Sequence, residues 1–193
     1  MRDQQIGVIV LCGGLSSRLA GRDKTRQSLA GTTVMDHLLD ALPSGWTVVC
    51  VGEERVTARS VQWCRESPPG CGPVAGIAAG LDHLESAQAR ICVVVGGDMP
   101  FAAPTLPTLV AALKAGSGLD AVLATDPDGH LQPLLAAYRC EALQAALPPR
   151  PGGARVMAIV GALATGTMTC DAKSTLDVDT PEALEQARHI VGA

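Results

Sequence analysis

Short runs of β-branched and other apolar residues alternate along the chain with longer Ala- and Leu-rich segments. Runs that are apolar at every position, rather than at every second one, mark strands buried on both faces, and the longer segments between them suit crossover helices. The pattern predicts strands over Ile6 to Cys12, Thr47 to Val51, Ile91 to Val95, Ala121 to Ala124 and Leu131 to Ala137, with a weaker one near Thr167 to Cys170. It predicts helices over Val34 to Leu42, Val74 to Ala87, Leu106 to Ala115, Cys140 to Ala146, Ala154 to Ala162 and Pro181 to Ile190. The fold class is α/β.

Two boundaries carry a mechanism. Thr180-Pro181-Glu182 places a capping hydroxyl ahead of a proline at the first helical position, with a carboxylate in the first turn, so a helix starts there. Asp126-Pro127-Asp128-Gly129 is a turn between two apolar runs. It returns Leu131 to Ala137 antiparallel to its predecessor and makes the sheet mixed rather than wholly parallel. The Pro/Gly cluster from Pro148 to Gly153 is the best candidate for a mobile loop, too short and too late to separate two domains. With no long linker and no internal repeat, a single domain over residues 1–193 is expected.

Composition narrows the function. At 193 residues and 47% hydrophobic the chain can bury a sizeable core, and with only 2% aromatics that core is aliphatic. Trp46, Trp63, Phe101 and Tyr138 are scattered and form no row of stacking platforms, while the net charge of -4 supplies no general basic field. Both features argue against nucleic acid as a partner and require any phosphate site to be a local cluster of cations. The seven cysteines are odd in number, lie mostly in apolar runs and show no Cys-x-x-Cys spacing, as expected of reduced thiols in the cytoplasm. Asp3 and an apolar run that breaks at Gly13-Gly14 do not read as a secretory leader, and no run is long enough to cross a membrane. A cytoplasmic protein is expected.

Candidate chemistry gathers at two strand ends. The first strand runs into Gly13-Gly14-Leu15-Ser16-Ser17-Arg18-Leu19-Ala20-Gly21-Arg22-Asp23-Lys24, which places Arg18, Arg22 and Lys24 in a glycine-rich loop at the carboxyl end of a strand. There α/β sheets bind ligands, and glycine lets backbone N–H groups approach phosphate. The spacing fits neither a Walker A loop nor a dinucleotide fingerprint. Separately, Ile91 to Val95 leads into Gly96-Gly97-Asp98. If the two strands are parallel, Asp98 lies at the same edge as the loop. One carboxylate facing cations suits a magnesium ion that takes its other ligands from water and substrate phosphates. A solvated loop and a strand-exit turn aspartate are the simpler alternatives.

Together these residues resemble the MobA-type molybdenum cofactor guanylyltransferases, nucleotidyltransferases with a glycosyltransferase-A-like fold. The family pattern Leu-Ala-Gly-Gly-x-Ser/Ala-x-Arg-Met-Gly-x-Asp-Lys is matched by Leu11-Cys12-Gly13-Gly14-Leu15-Ser16-Ser17-Arg18-Leu19 and Gly21-Arg22-Asp23-Lys24. Gly72-Pro73-Val74-Ala75-Gly76, Gly97-Asp98-Met99-Pro100, Gln132-Pro133-Leu134, Arg155-Val156-Met157 and Asp177-Val178-Asp179-Thr180-Pro181 match further segments in order. The likeness therefore spans nearly the whole chain. Cys12 replaces Ala, Leu19 replaces Met, and Asp177 and Asp179 stand where relatives often carry Asn.

The resemblance implies a three-layer α/β/α architecture and transfer of GMP from GTP to the phosphate of molybdenum-carrying molybdopterin, with Mg2+ as cofactor and pyrophosphate released. It assigns catalysis to Arg18, Lys24 and Asp98, with Asp98 also the metal ligand. It assigns the nucleotide to Leu11, Cys12, Gly13, Gly14, Lys24, Glu66, Gly72, Gly76 and Asp98, and the acceptor to Arg155, Asp177 and Asp179. Molybdoenzymes or cofactor-insertion proteins would be partners downstream. Two alternatives remain at this level: a cytidylyl or sugar-phosphate nucleotidyltransferase, and a non-catalytic protein that binds GTP or molybdopterin.

Overall fold

A computed structural model of the protein describes residues 5–13 and 23–192. The strands are β1 (Ile6–Leu11), β2 (Ser28–Leu29), β3 (Thr32–Thr33), β4 (Thr47–Val51), β5 (Gln62–Cys64), β6 (Ile91–Gly96), β7 (Ala121–Thr125), β8 (Leu131–Arg139) and β9 (Thr165–Thr169). The helices are α1 (Val34–Ala41), α2 (Pro73–Ser86), α3 (Leu106–Ala115), α4 (Cys140–Ala146), α5 (Val156–Val160) and α6 (Pro181–Gly192). Among the described residues, seven strands form one sheet in the order β5-β4-β1-β6-β8-β7-β9, in which β8 alone runs against its neighbours.

The all-apolar strands are buried on both faces because a helical layer covers each. Val8 and Val10 of β1, with Val93 and Val95 of β6, pack with Met35, Leu38 and Leu39 of α1 and Leu106, Leu109 and Leu113 of α3. The alternate residues Ile9, Cys92 and Val94 turn to Val74, Ile77, Leu81 and Leu84 of α2, Leu143 of α4 and Ile159 of α5. A smaller cluster of Leu29, Val34, Phe101, Val178, Leu184 and Ala187 joins α6 and the β2–β3 hairpin to the rest. The expected α/β class, the mixed sheet and the antiparallel return at Asp126 to Gly129 are all present, and the Thr180 hydroxyl caps α6 by accepting from Ala183 N at 3.1 Å.

The structure differs from expectation where elements are short. β2, β3 and β5 span two or three residues each, too few for a period to show. Arg155 was expected inside a helix over Ala154 to Ala162; it is instead the extended N-cap of the five-residue α5. The preceding Gly153 has a φ of +74° and donates to the Cys71 carbonyl at 2.8 Å, which ties this stretch to the start of α2 and delays the helix. In β8, Ala136 lies opposite Leu123 of β7 but Gln132 opposite Ala124, so Pro133, Leu134 and Leu135 bulge on that side. Proline cannot donate to a ladder. The Tyr138 hydroxyl donates to the Pro133 carbonyl at 2.7 Å and fixes the bulge.

Candidate active site

β1 and β6 are parallel neighbours, with Leu11 level with Gly96, so both predicted sites open at one edge of the sheet. The chain leaves β1 through α1 to β4 on one side and returns through α2 to β6 on the other. Such a reversal leaves a crevice beyond the strand ends. The main chain continues to pair there: Gly97 N donates to Leu11 O and Cys12 N to Val51 O, both at 2.9 Å. Gly13 is exposed, with open space where a Cβ would stand. Gly14, Arg18 and Arg22 lie outside the described residues.

The two glycines before Asp98 have distinct steric reasons. A Cβ on Gly96 would collide with Asp98 Oδ1, so its absence lets the carboxylate fold back over the strand end. A Cβ on Gly97 would lie 3.2 Å from Leu11 O and 3.4 Å from both Cys12 Sγ and Thr25 Cγ2, so its absence seats the turn bearing Lys24 against β6. Asp98 is consequently 9% exposed, and Lys24 Nζ forms an ion pair with its Oδ2.

The Asp98 carbonyl accepts from Val178 N at 2.9 Å, which brings Asp177 and Asp179 to the same corner. Partial burial, followed by the charges of Asp179 and Asp98, raises the Asp177 carboxyl above its ordinary range, against a smaller opposing pull from Lys24. Repelling carboxylates supply hard oxygen donors and would be relieved by a divalent cation between them. Asp98, with Asp177 beside it, is thus chemically fit to hold one. A second acidic group, Asp126, Asp128 and His130 in the β7–β8 turn, has ligand atoms within 4.8 Å of one another. There Asp126 already accepts from the backbone N–H groups of Asp128 and His130 at 3.0 and 2.9 Å, an ordinary turn arrangement.

The turn that carries Lys24 is held by its neighbours Asp23 and Thr25 and, from beyond β4, by Arg55, which no sequence motif singles out. Asp23 Oδ1 accepts from Thr25 N at 3.0 Å and from the Thr25 hydroxyl at 2.5 Å, capping a short 3-10 turn over Lys24–Arg26. Asp23 Oδ2 accepts from Arg26 Nε at 3.1 Å and from Arg55 Nη1 at 2.8 Å. Arg55, just after β4, also donates to the Thr25 hydroxyl at 2.5 Å and lies over the Trp63 ring at 5.6 Å. Partial burial alone would raise the Asp23 carboxyl; the Thr25 hydrogen bonds and the Arg55 charge outweigh it and hold the group below the usual range. The only hint of Arg55 in the sequence is its place just past an apolar strand, 32 residues from Asp23.

The remaining predicted residues divide between packing and a second wall. Gly76 and Gly80 let α2 approach β1: a Cβ would lie 3.1 Å from Leu11 Cδ2 at Gly76 and 2.7 Å from Ile9 Cγ2 at Gly80. Gly72 caps α2 with a φ of +90° and no side-chain hydrogen bond. One oxygen of Glu66 accepts from Gly70 N at 2.8 Å, bracing the loop that leads to Gly72. Gly152 packs on Cys71, and Arg155 is exposed nearby in the chain. Cys12 is inward: its thiol donates to Met35 Sδ at 3.3 Å. The structure thus joins Lys24, Asp98, Asp177 and Asp179 at one corner, while the Gly152–Gly153 stretch just before Arg155 packs on Cys71 at the start of α2.

Comparison with known proteins bears on the family and the fold. A family model described as MobA-like NTP transferase domain matches residues 8–166. A probable molybdenum cofactor guanylyltransferase of Natronomonas pharaonis is 30% identical over 96% of this chain and 97% of its own. A probable molybdenum cofactor guanylyltransferase of Opitutus terrae is 34% identical over 71% of this chain and 68% of its own. The crystal structure of molybdopterin-guanine dinucleotide biosynthesis protein A from Archaeoglobus fulgidus superposes with a TM-score of 0.74 at 26% identity, covering 96% of this chain and 98% of that one. The three-layer sheet is the glycosyltransferase-A-like fold of nucleotidyltransferases. On the extent of the match and the order of its motifs, the chain belongs to the MobA-like NTP transferase family.

Proposed function

We propose that the protein transfers GMP from GTP to the phosphate of molybdenum-carrying molybdopterin, releasing pyrophosphate, within one nucleotidyltransferase domain. The observation that carries this reading is the ion pair of Lys24 with Asp98, at the sheet edge where the carboxyl ends of β1 and β6 lie level. The attacking phosphate is already an anion, so the site needs no general base; in-line positioning and charge neutralisation suffice. Magnesium held at Asp98 would neutralise charge on the triphosphate. Lys24, with Arg18, serves the triphosphate and the departing pyrophosphate, while Leu11, Cys12, Gly13 and Gly14 supply the main chain that borders the nucleotide.

Gly76 acts by setting α2 against Leu11, and Gly72 by turning the chain at the helix start. We assign the second oxygen of Glu66 to the guanine N1–H and 2-amino edge, a donor pair suited to a carboxylate. Arg155, Asp177 and Asp179 serve the acceptor, and the Val178 N to Asp98 O bond puts Asp177 in the corner that holds Asp98.

The test is pyrophosphate release by the purified protein with magnesium, molybdopterin and each of the four nucleoside triphosphates in turn. GTP alone should support turnover. Lys24→Ala and Asp98→Ala should keep the native circular dichroism spectrum and lose on the order of a hundredfold or more in kcat. Equal turnover with CTP defeats the guanine assignment, and near-normal turnover in either variant defeats the site.

A further inference from the structure

Lys24 can act on a phosphate only if the turn that carries it keeps its place at the strand end. That turn has three residues and two long backbone hydrogen bonds of its own, Arg26 N to Asp23 O at 3.2 Å and Gln27 N to Lys24 O at 3.3 Å, too little to hold a charged side chain in register without outside support. The support comes from across the sheet edge. Arg55 presents one guanidinium nitrogen to Asp23 Oδ2 at 2.8 Å and the other to the Thr25 hydroxyl at 2.5 Å, spanning the residues on either side of Lys24. The same second nitrogen meets Met35 Sδ at 3.0 Å, and the guanidinium lies over Trp63 of β5 at 5.6 Å. Its side chain is only 11% exposed, against 48% for Arg26, which also reaches Asp23.

A planar fork with two donors fixes both partners in one orientation, which an ammonium cannot do. We infer that Arg55 is a positioning residue that acts through Asp23 and Thr25 to hold Lys24 against Asp98, so that the strand β4 exit loop sets the geometry of the phosphate site. This rests on the reading of Lys24 as the triphosphate cation. It goes beyond that reading in naming a residue, remote in sequence, on which the cation depends.

Thr25 shows how the restraint is transmitted. Its methyl lies against Gly97, next to Asp98, while its hydroxyl is shared between Asp23 and Arg55. Loss of the fork frees the turn to shift along β6, and misplacement of a catalytic group by about 1 Å costs on the order of a hundredfold in rate.

Two measurements test this on the full chain. In the first, an amine-directed acylating reagent is applied briefly and modification is quantified by mass spectrometry at Lys24, Lys114 and Lys173. Arg55→Ala and Arg55→Lys should both raise the rate at Lys24 without changing it at Lys114 or Lys173. Unchanged Lys24 labelling overturns the inference, and a parallel rise at all three reports general unfolding and overturns it as well. This measurement does not depend on any nucleotide or on activity.

The second is a kinetic cycle. Arg55→Ala should lower kcat for pyrophosphate release on the order of a hundredfold in the wild-type background. It should have little further effect once Lys24 is already Ala, because it acts through that side chain; two independent costs would multiply instead. Millimolar guanidinium should restore part of the loss in Arg55→Ala. Multiplying costs, or a loss that appears only in KM, overturn the inference. Absence of turnover by the wild-type protein with every nucleotide counts against the functional reading and leaves the labelling result to decide the clamp.

Discussion

The Asp177 carboxyl is raised by partial burial first and then by the neighbouring carboxylates of Asp179 and Asp98, with Lys24 pulling it back. A carboxyl whose folded value exceeds its unfolded value costs stability once it is ionised. That cost is complete above the folded value and vanishes as the pH falls below about 3.9, the ordinary aspartate value. Asp177→Asn should therefore raise the thermal midpoint at pH 7, with the gain shrinking toward zero in acid. Equal midpoints at pH 7 would show that neither burial nor the neighbouring carboxylates penalise the ionised group. The residue also shows the limit of reading motifs. Asp177 and Asp179 stand out in the sequence as departures from a pattern that carries Asn, but nothing in the chain reveals that Val178 hydrogen-bonds to Asp98.

At the scale of elements, the crossovers depend on how the helix ends are closed. Arg59 gathers the carbonyls at and just beyond the C-terminus of α1: its guanidinium donates to Leu42 O at 2.8 Å and Pro43 O at 2.9 Å, and reaches Leu39, Ser44 and Trp46 at 3.3 to 3.4 Å. Arg59→Ala should destabilise the protein by about 1.5–3 kcal/mol, the range for hydrogen bonds to a charged group, measured by denaturant unfolding. A loss below 0.5 kcal/mol, the ordinary scatter of surface changes, would mean that water replaces the guanidinium at these carbonyls. Arg55 and Arg59 lie on one loop four residues apart, yet one closes a helix and the other grips the Lys24 turn. No local pattern separates them. Their roles follow from which elements the fold brings within reach.

Across the whole molecule, the cations of the first loop that we assign to phosphate are an exception within an acidic chain of net charge -4. The polyanion that suits such a protein is small, and its binding should stabilise the native state alone. With magnesium and GTP at a hundred times its dissociation constant, unfolding should cost about 2.7 kcal/mol more, equivalent to a rise of roughly 5–10 °C in the midpoint for a chain of this size. Asp98→Ala should abolish most of that rise; an equal rise in the variant would place the nucleotide elsewhere.

Hydrophobic period, turn chemistry and glycine placement are local properties of the chain, so the α/β class, the long strands and helices, the antiparallel return at Asp126 to Gly129 and the candidacy of Lys24 and Asp98 were legible in the sequence. It did not reveal that Lys24 pairs with Asp98, that Arg155 precedes its helix rather than lying inside it, or that Arg55 hydrogen-bonds the residues on either side of Lys24. Those relations join residues tens of positions apart, and they exist only once parallel pairing of β1, β4 and β6 has brought their carboxyl ends to one edge.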